Sequence, residues 1–463
     1  MLFDVVWQRF VDRSPVTVML RATLENVFSA EALDRLFRET AVRQRPKQLA
    51  FSTVVDLLSL TVAGVRKSVN AAYLEAKHRV GVSVNSIYNK LDGTETQVSR
   101  ELVRRIASHL GDVVRGLRVV PQGPFPGYRR KILDGNHLPS TDHRLEVLRK
   151  TLRGPLPGQA LCVLEPDVML ITDMVPCEDG HAQERSLLPE VLETVKPQDL
   201  WIGDRNFCTT GFLFGVWARY GFFIIRQHAS TLCYQLEGHR QPKGRCETGR
   251  LYEQAIQLSD PAGQTLTARR ITLILDKPTT SGDREIQIVS NLPKRFSAQK
   301  IAAGYLDRWT IENAFQELEQ SLQSEIRTLA YPKAALLAFA LAVDLFNLMS
   351  VIKWALHKAH GEQAPRDQLS GYYLAEEMSA AYHGMMIALP EEQWTHKFAR
   401  LTPTGLARVL RQLAASARPD QFRKRPGSPK KKPPPKRTTG KSHHHVSTAR
   451  LLQQAELKQL AKR

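Results

Sequence analysis

Tyr305, Arg308 and Glu312 stand three and then four residues apart in the segment YLDRWTIENAF, which runs from Tyr305 to Phe315. At about 100° per residue of α-helix they share one narrow face, presenting a phenol, a guanidinium and a carboxylate in register. An exposed i,i+4 ion pair is the plainer reading of such a face; the other is a reactive site. Two acids elsewhere bear on the choice. Asp134 ends the apolar run of KILDGNHL and precedes Gly135, and Asp204 follows Leu200, Trp201, Ile202 and Gly203 just before the turn-prone Asn206. An acid at the end of a buried strand loses its hydration unless a cation compensates, and a bound metal does so most completely. A turn-forming Asp that caps the next helix is the alternative for either residue, and Asp173, inside VMLITDMV, competes on pattern. A sheet carrying two of these acids, covered by a helix carrying Glu312, would gather three carboxylates. Such a trio holds two hard divalent cations about 3.5–4 Å apart, the arrangement used for in-line phosphodiester displacement. Arg308 and Tyr305, one and two turns from Glu312, would then lie along the path of a phosphate backbone.

The elements that must position these residues change in texture along the chain. Residues 1–120 read as helices, with apolar positions three and four apart in AEALDRLFRETAV, FSTVVDLLSLTVAGV and SRELVRRIASHLGDVVRGL. Within them, SVNAAYLEAKHRVGVSVNSIYNKL outlines two helices turning at Gly81, a helix-turn-helix pattern and a candidate DNA contact. After the Pro/Gly-rich linker VVPQGPFPGYRR, residues 126–228 mix β-prone runs with two helical pieces, which predicts an α/β fold around a mixed sheet. Residues 229–293 alternate throughout and read as all β. Residues 294–360 carry the Glu312 helix, with Ser297 as its expected N-cap, and a long apolar helix around Leu336–Leu356. Amphipathic helices at 361–417 offer a dimerisation surface. Residues 418–463 form a basic low-complexity tail that is expected to be disordered.

Charge separates the function classes. With 65 Lys+Arg against 46 Asp+Glu the chain carries +19, and the tail from Arg418 holds 14 basic and 2 acidic residues. A basic protein with a basic tail suits a polyanion, most often nucleic acid. Five cysteines without a CxxC pair support neither a disulfide framework nor a zinc knuckle and read as buried thiols in a reducing compartment. The first ten residues lack a signal-peptide core, and Asp344, Asn347 and Lys353 interrupt the most apolar stretch. The expectation is therefore a soluble, cytoplasmic, nucleoid-associated protein with no membrane span. TTGKS near the C-terminus lacks the first glycine of a P-loop, where Pro435 stands instead.

The motifs together resemble the DDE transposases of bacterial insertion sequences, in particular the insertion sequence 4-type branch with a Tyr-x2-Arg-x3-Glu signature. Tyr305, Arg308 and Glu312 match that signature, GDRNF resembles the motif of the second Asp, KILDGNHL the strand of the first, and IQIVSNLP the strand before the signature helix. The resemblance runs from about Tyr128 to Trp354 and takes in the basic tail. It implies a ribonuclease-H-like catalytic core, residues 126–228 completed by 294–360, with the β-rich insertion between the second Asp and the Glu. It also implies Asp134, Asp204 and Glu312 as catalytic metal ligands for two Mg2+ ions, with Mn2+ as a substitute, and Tyr305, Arg308 and Arg205 as DNA contacts. The implied partners are double-stranded DNA, as terminal inverted repeats and target, and a second copy of the chain in a synaptic dimer. The implied reaction is cut-and-paste, with the helical residues 1–120 binding the DNA ends. A nuclease of the same fold that does not join strands, or a decayed DNA-binding regulator, are the alternatives. Two departures stand out. The signature usually continues with a lysine seven residues after the Glu, where this chain has Glu319, and no Trp lies between Arg226 and Leu306 to stack a flipped base.

Overall fold

A computed structural model describes residues 2–44, 49–119, 123–228, 232–279, 282–381, 389–425 and 445–461. Seven helices open the chain: α1 (Leu2–Arg13), α2 (Pro15–Val27), α3 (Ala30–Thr40), α4 (Phe51–Val62), α5 (Val69–Val80), α6 (Val84–Gly93) and α7 (Thr96–Gly116). α5 ends at Gly81, whose φ of +66° is open to glycine at no steric cost, and Ser83 then caps α6 by accepting from the Ser86 N–H. The sheet strands follow: β1 (Arg129–His137), α8 (Glu146–Arg149), β2 (Pro155–Leu156), β3 (Gln159–Glu165), β4 (Leu170–Cys177), α9 (Leu188–Leu192), β5 (Asp199–Gly203), α10 (Thr210–Ala218) and β6 (Phe222–Arg226). Four more strands, β7 (Cys233–Cys246), β8 (Gly249–Ser259), β9 (Thr265–Leu275) and β10 (Glu285–Ser290), precede α11 (Ala298–Leu306), α12 (Trp309–Ser321) and α13 (Pro332–His360). The chain closes with α14 (Gly371–Ala380), α15 (Glu391–Phe398), α16 (Pro403–Ser416), β11 (Val446–Ser447) and α17 (Thr448–Leu460).

Nine strands form one mixed sheet in the order β4-β3-β1-β5-β6-β10-β9-β8-β7. β1 pairs antiparallel with β3 and parallel with β5, and β5 runs parallel to β6. The strands within 229–293 do not stand apart: β10 pairs with β6, so β10 to β7 prolong the same sheet as antiparallel neighbours. The central strands are buried on both faces, which is why they read as continuous apolar runs rather than as alternation.

The helices of residues 1–120 share one hydrophobic core with α13 and one face of the sheet, through residues such as Leu58, Leu102, Leu341 and Ile171. Arg100 of α7 reinforces this join. Its Nε and Nη2 donate to both oxygens of Asp173 on β4 at 3.0 and 2.9 Å, with both side chains about 5% exposed. Asp173 is therefore half of a buried bidentate pair, which removes it from competition with Asp134 and Asp204. α13 is long and apolar enough to cross a membrane by length and composition alone, but its apolar stretch is wholly buried inside this protein.

Two expectations change. The sequence predicts low complexity to the end of the tail, yet β11 pairs with β2, α17 packs near α8, and Arg450 of α17 is 2.8 Å from Asp179. Strand pairing and burial of Ser447 and Thr448 give that segment the contacts a purely polar tail lacks. Residues 426–444, with the lysine-rich stretch and TTGKS, lie outside the described residues. Of the cysteines, Cys162 and Cys208 are buried but Cys233 is exposed, because β7 is an edge strand.

Candidate active site

Sheet register brings Asp134 and Asp204 level. β1 and β5 run parallel with Ile132 opposite Ile202, and each acid stands two residues further along, so both return to the face that carries the two isoleucines. That face belongs to the core that includes Ile311, Ala314 and Leu318 of α12, whereas Leu133 and Trp201 point into the opposite one. α12 packs on β1 and carries Glu312 in its first turn.

Arg308 joins the acids. Its Nη1 lies 2.6 Å from Glu312 Oε1 and 3.5 Å from Asp134 Oδ2, with the guanidinium side chain only 12% exposed. This is not the solvated pair of an exposed helix, since one cation reaches from the helix to the sheet. The single helix expected through Tyr305, Arg308 and Glu312 is broken between α11 and α12. N–H groups of Arg308, Thr310 and Ile311 bond three residues back rather than four, and Arg130 pairs with Asp307 at the junction. Arg308 keeps helical backbone angles (φ −50°, ψ −37°), so its i,i+4 relation to Glu312 survives the break.

The other expected residues fall as follows. Asp204 does cap the next turn, accepting from the Asn206 N–H at 2.7 Å, and still acts electrostatically on Asp134 and on Tyr305. Tyr305 is 7% exposed; burial raises its phenol pKa, against the opposing pull of Arg308 and Arg226. It faces inward, toward Arg308, rather than solvent. Arg205 is exposed and free of ion pairs among the described residues. Burial pushes the Asp134 carboxyl up to about 7, with Asp204 and Glu312 adding to the rise and Arg308 and the Gly135 N–H opposing it.

Three further acids were not anticipated as neighbours of the site, or were noted only as a departure. Glu319 and Glu325 line a cavity of about 390 Å3 together with Asp134, Asn136 and Glu312. Every charged residue in that lining is an acid, and burial followed by Glu319 raises the Glu325 carboxyl. Glu184 accepts from Asn206 Nδ2 at 2.6 Å and lies against Gly135, where any Cβ would collide with it. Glu319 is legible from its place seven residues after Glu312. Glu184 and Glu325 carry no local signal, because only long-range packing brings them here.

Carboxylates are the donors that hard divalent cations take, and the buried, under-compensated charge at Asp134 is what such an ion relieves. Among the described residues no three His, Cys, Asp or Glu side chains stand together closely enough to hold one. Arg308 lies between Asp134 and Glu312 and supplies the positive charge there. Asp134, Asp204 and Glu312 thus fit a metal by donor chemistry, provided the Arg308 guanidinium moves aside.

Residues 157–343 match the family model described as the transposase DDE domain. The match takes in Asp204 and Glu312 and begins beyond Asp134. No curated protein matches the chain. This stretch, with two of the three acids inside it, is therefore similar to a transposase DDE domain.

Proposed function

We infer that the protein is an insertion-sequence transposase whose ribonuclease-H-like core uses Asp134, Asp204 and Glu312 to cleave DNA at the element's ends and join them to a target. The observation that carries this reading is that Arg308 joins Asp134 of the sheet to Glu312 of the covering helix, with Asp204 level with Asp134 just past the neighbouring strand, in a chain of which residues 157–343 match the transposase DDE domain. Two Mg2+ ions, or Mn2+ in their place, would be held by those three carboxylates and would supply a nucleophilic oxygen and charge neutralisation at the phosphate.

The chain's own residues have separate tasks. Without metal, Arg308 compensates Glu312 and Asp134 and keeps the acids from repelling the fold apart. Once displaced it has a guanidinium fork suited to a phosphate. Tyr305, buried beside Arg308, is a second polar partner for its guanidinium. Arg205, exposed one residue from Asp204, suits the DNA backbone just outside the acids. The helices of residues 1–120, with the α5–α6 turn, suit recognition of the terminal inverted repeats, and a homodimer would bring two ends together on the nucleoid.

Cleavage of a labelled duplex carrying the element's own end, with and without Mg2+, tests the reading. The expected outcome is metal-dependent cutting that falls to background in Glu312→Gln while DNA binding is retained, followed by strand-transfer products. Cutting without transfer would leave a nuclease. Binding without any cutting, equal in both proteins, would leave a regulator.

A further inference from the structure

α12 faces a second cavity on nearly its opposite side. Glu312, Phe315 and Glu319 line the acidic cavity, whereas Thr310, Asn313, Glu317 and Gln320 line one of about 530 Å3 closed by α13, the turn Arg366–Gln368 and the start of α14. The two meet at Gln316. Trp309–Ser321 contains no Lys, Arg or His, so α12 brings no cation of its own to either side. The second cavity receives its cations from elsewhere: Lys353 on α13, Arg366 on the turn, and Lys424.

These cations differ in what compensates them. Lys353 is 6% exposed and pairs with Glu317. Arg366 is half-buried, with its guanidinium 4.6 Å from the centroid of the Trp354 ring, and has no ion-pair partner among the described residues. Lys424 is exposed and likewise unpaired there. Its position is fixed by backbone bonds rather than by a carboxylate: its N–H donates to the Gln368 carbonyl at 2.7 Å, and the Ser370 N–H donates to the Phe422 carbonyl at 2.7 Å. Against three cations the lining holds two acids, Glu317 and Asp367. Ser350, 3% exposed in the same lining, has a hydroxyl with no hydrogen bond among the described residues. The N-terminal turn of α14, at Gly371 and Tyr372, adds backbone N–H groups to the wall. Glu317 already lies against Gly371 and pairs with Lys353, which leaves the half-buried Arg366 guanidinium, with no carboxylate at ion-pair distance among the described residues, beside the Ser350 hydroxyl and Lys424 as the donors an anion would meet. The sequence beyond Lys424 and Arg425 continues with Lys430, Lys431, Lys432, Lys436 and Arg437, which suits an extended polyanion.

We propose that this cavity binds a phosphate group of a DNA strand, held by Arg366 and Lys424, so that the back of α12 makes a DNA contact separate from the carboxylate site. It rests on the DNA-binding reading above and adds the place where a strand is gripped without metal. The phosphate grip lies across α12 from the acid-lined cavity, where Glu319 offers no cation.

The test is DNA binding by the full chain in EDTA over a salt series, read by fluorescence anisotropy. Lys424→Ala and Arg366→Gln should each lower the slope of log K against log salt by about 0.9, and together by about twice that. Arg219→Ala, at an exposed cation just past the end of α10, should leave it unchanged. Lys424 is exposed, so its variant keeps the fold even if Arg366→Gln loosens the packing on Trp354. A second arm follows thermal stabilisation by inorganic phosphate and by a deoxynucleoside monophosphate. Falling slopes support the proposal with DNA as the source of the phosphate. Unchanged slopes with stabilisation lost in both variants support a phosphate site filled by free nucleotide. A wild-type chain that binds no DNA sinks the transposase reading, and the second arm then decides the cavity alone. Slopes and stabilisation both equal to wild type overturn the proposal.

Discussion

Replacing Asp134 by Asn should stabilise the metal-free protein at alkaline pH and do nothing at acid pH. The carboxyl, 18% exposed, is raised from an ordinary 3.8 to about 7 by burial first and by Asp204 and Glu312 second. A carboxyl whose folded-state pKa is raised binds its proton more tightly in the folded chain than in the unfolded one. Its favourable contribution is therefore complete below about pH 4 and disappears as pH rises through about 7. Each tenfold in proton affinity corresponds to about 1.4 kcal/mol, so the ionised group costs about 4 kcal/mol above neutrality. Asn keeps the shape and removes the charge. In EDTA, urea unfolding at pH 8 should show Asp134→Asn more stable than wild type by up to about 4 kcal/mol, with the advantage narrowing steadily toward pH 4. Excess Mg2+ should then reverse the order, because only the wild type gains the full ligand set. A stability difference that is flat with pH, or a variant less stable than wild type at pH 8, would show that Arg308 already neutralises Asp134 and that no cation is wanting.

Two other outcomes follow from the same geometry. Arg100→Met should cost about 3–5 kcal/mol in urea unfolding, because Asp173 is left charged and buried at the join between α7 and β4; converting both partners to apolar residues should recover most of it. Glu319→Lys places a cation in a lining whose charges are all acidic, and should steepen the salt slope of DNA binding by about 0.9. An unchanged slope would mean that no phosphate passes this wall of the cavity.

Much of the fold was readable because local signals coincide with it. Gly81 marks the α5–α6 turn, Ser297 does cap α11 by accepting from the Lys300 N–H at 3.2 Å, and the apolar run around Leu336–Leu356 lies inside α13. What was not readable depends on partners far along the chain. Nothing in 229–293 says that β10 will pair with β6 and merge the insertion into the central sheet. Nothing in the first 120 residues says that Arg100 will reach Asp173. The final helix was hidden by its neighbourhood: α17 follows a lysine- and proline-rich stretch, and averaging over that stretch conceals the spacing of Leu451, Leu452 and Ala455.

For the candidate site, the sequence supplied the residue types and the structure supplied the relation among them. The spacing from Arg308 to Glu312 is compatible with a surface ion pair, and the pair is indeed made; what changes its meaning is Asp134, 174 residues away from Arg308, on the guanidinium's other side. That contact turns a question about helix faces into one about charge balance. One guanidinium serves two carboxylates directly and shares a low-dielectric space with Asp204, so the site as it stands holds more negative than positive charge. Glu319 and Glu325 deepen the imbalance along the cavity wall, and no cation from α12 relieves it. A phosphate backbone cannot approach such a wall without cations that the wall lacks. If the proposed reaction on DNA takes place here, positive charge must arrive with the substrate complex, as metal at Asp134, Asp204 and Glu312 would supply it, and the strand must be held from another side. Arg366 and Lys424, without ion pairs among the described residues, stand on that other side.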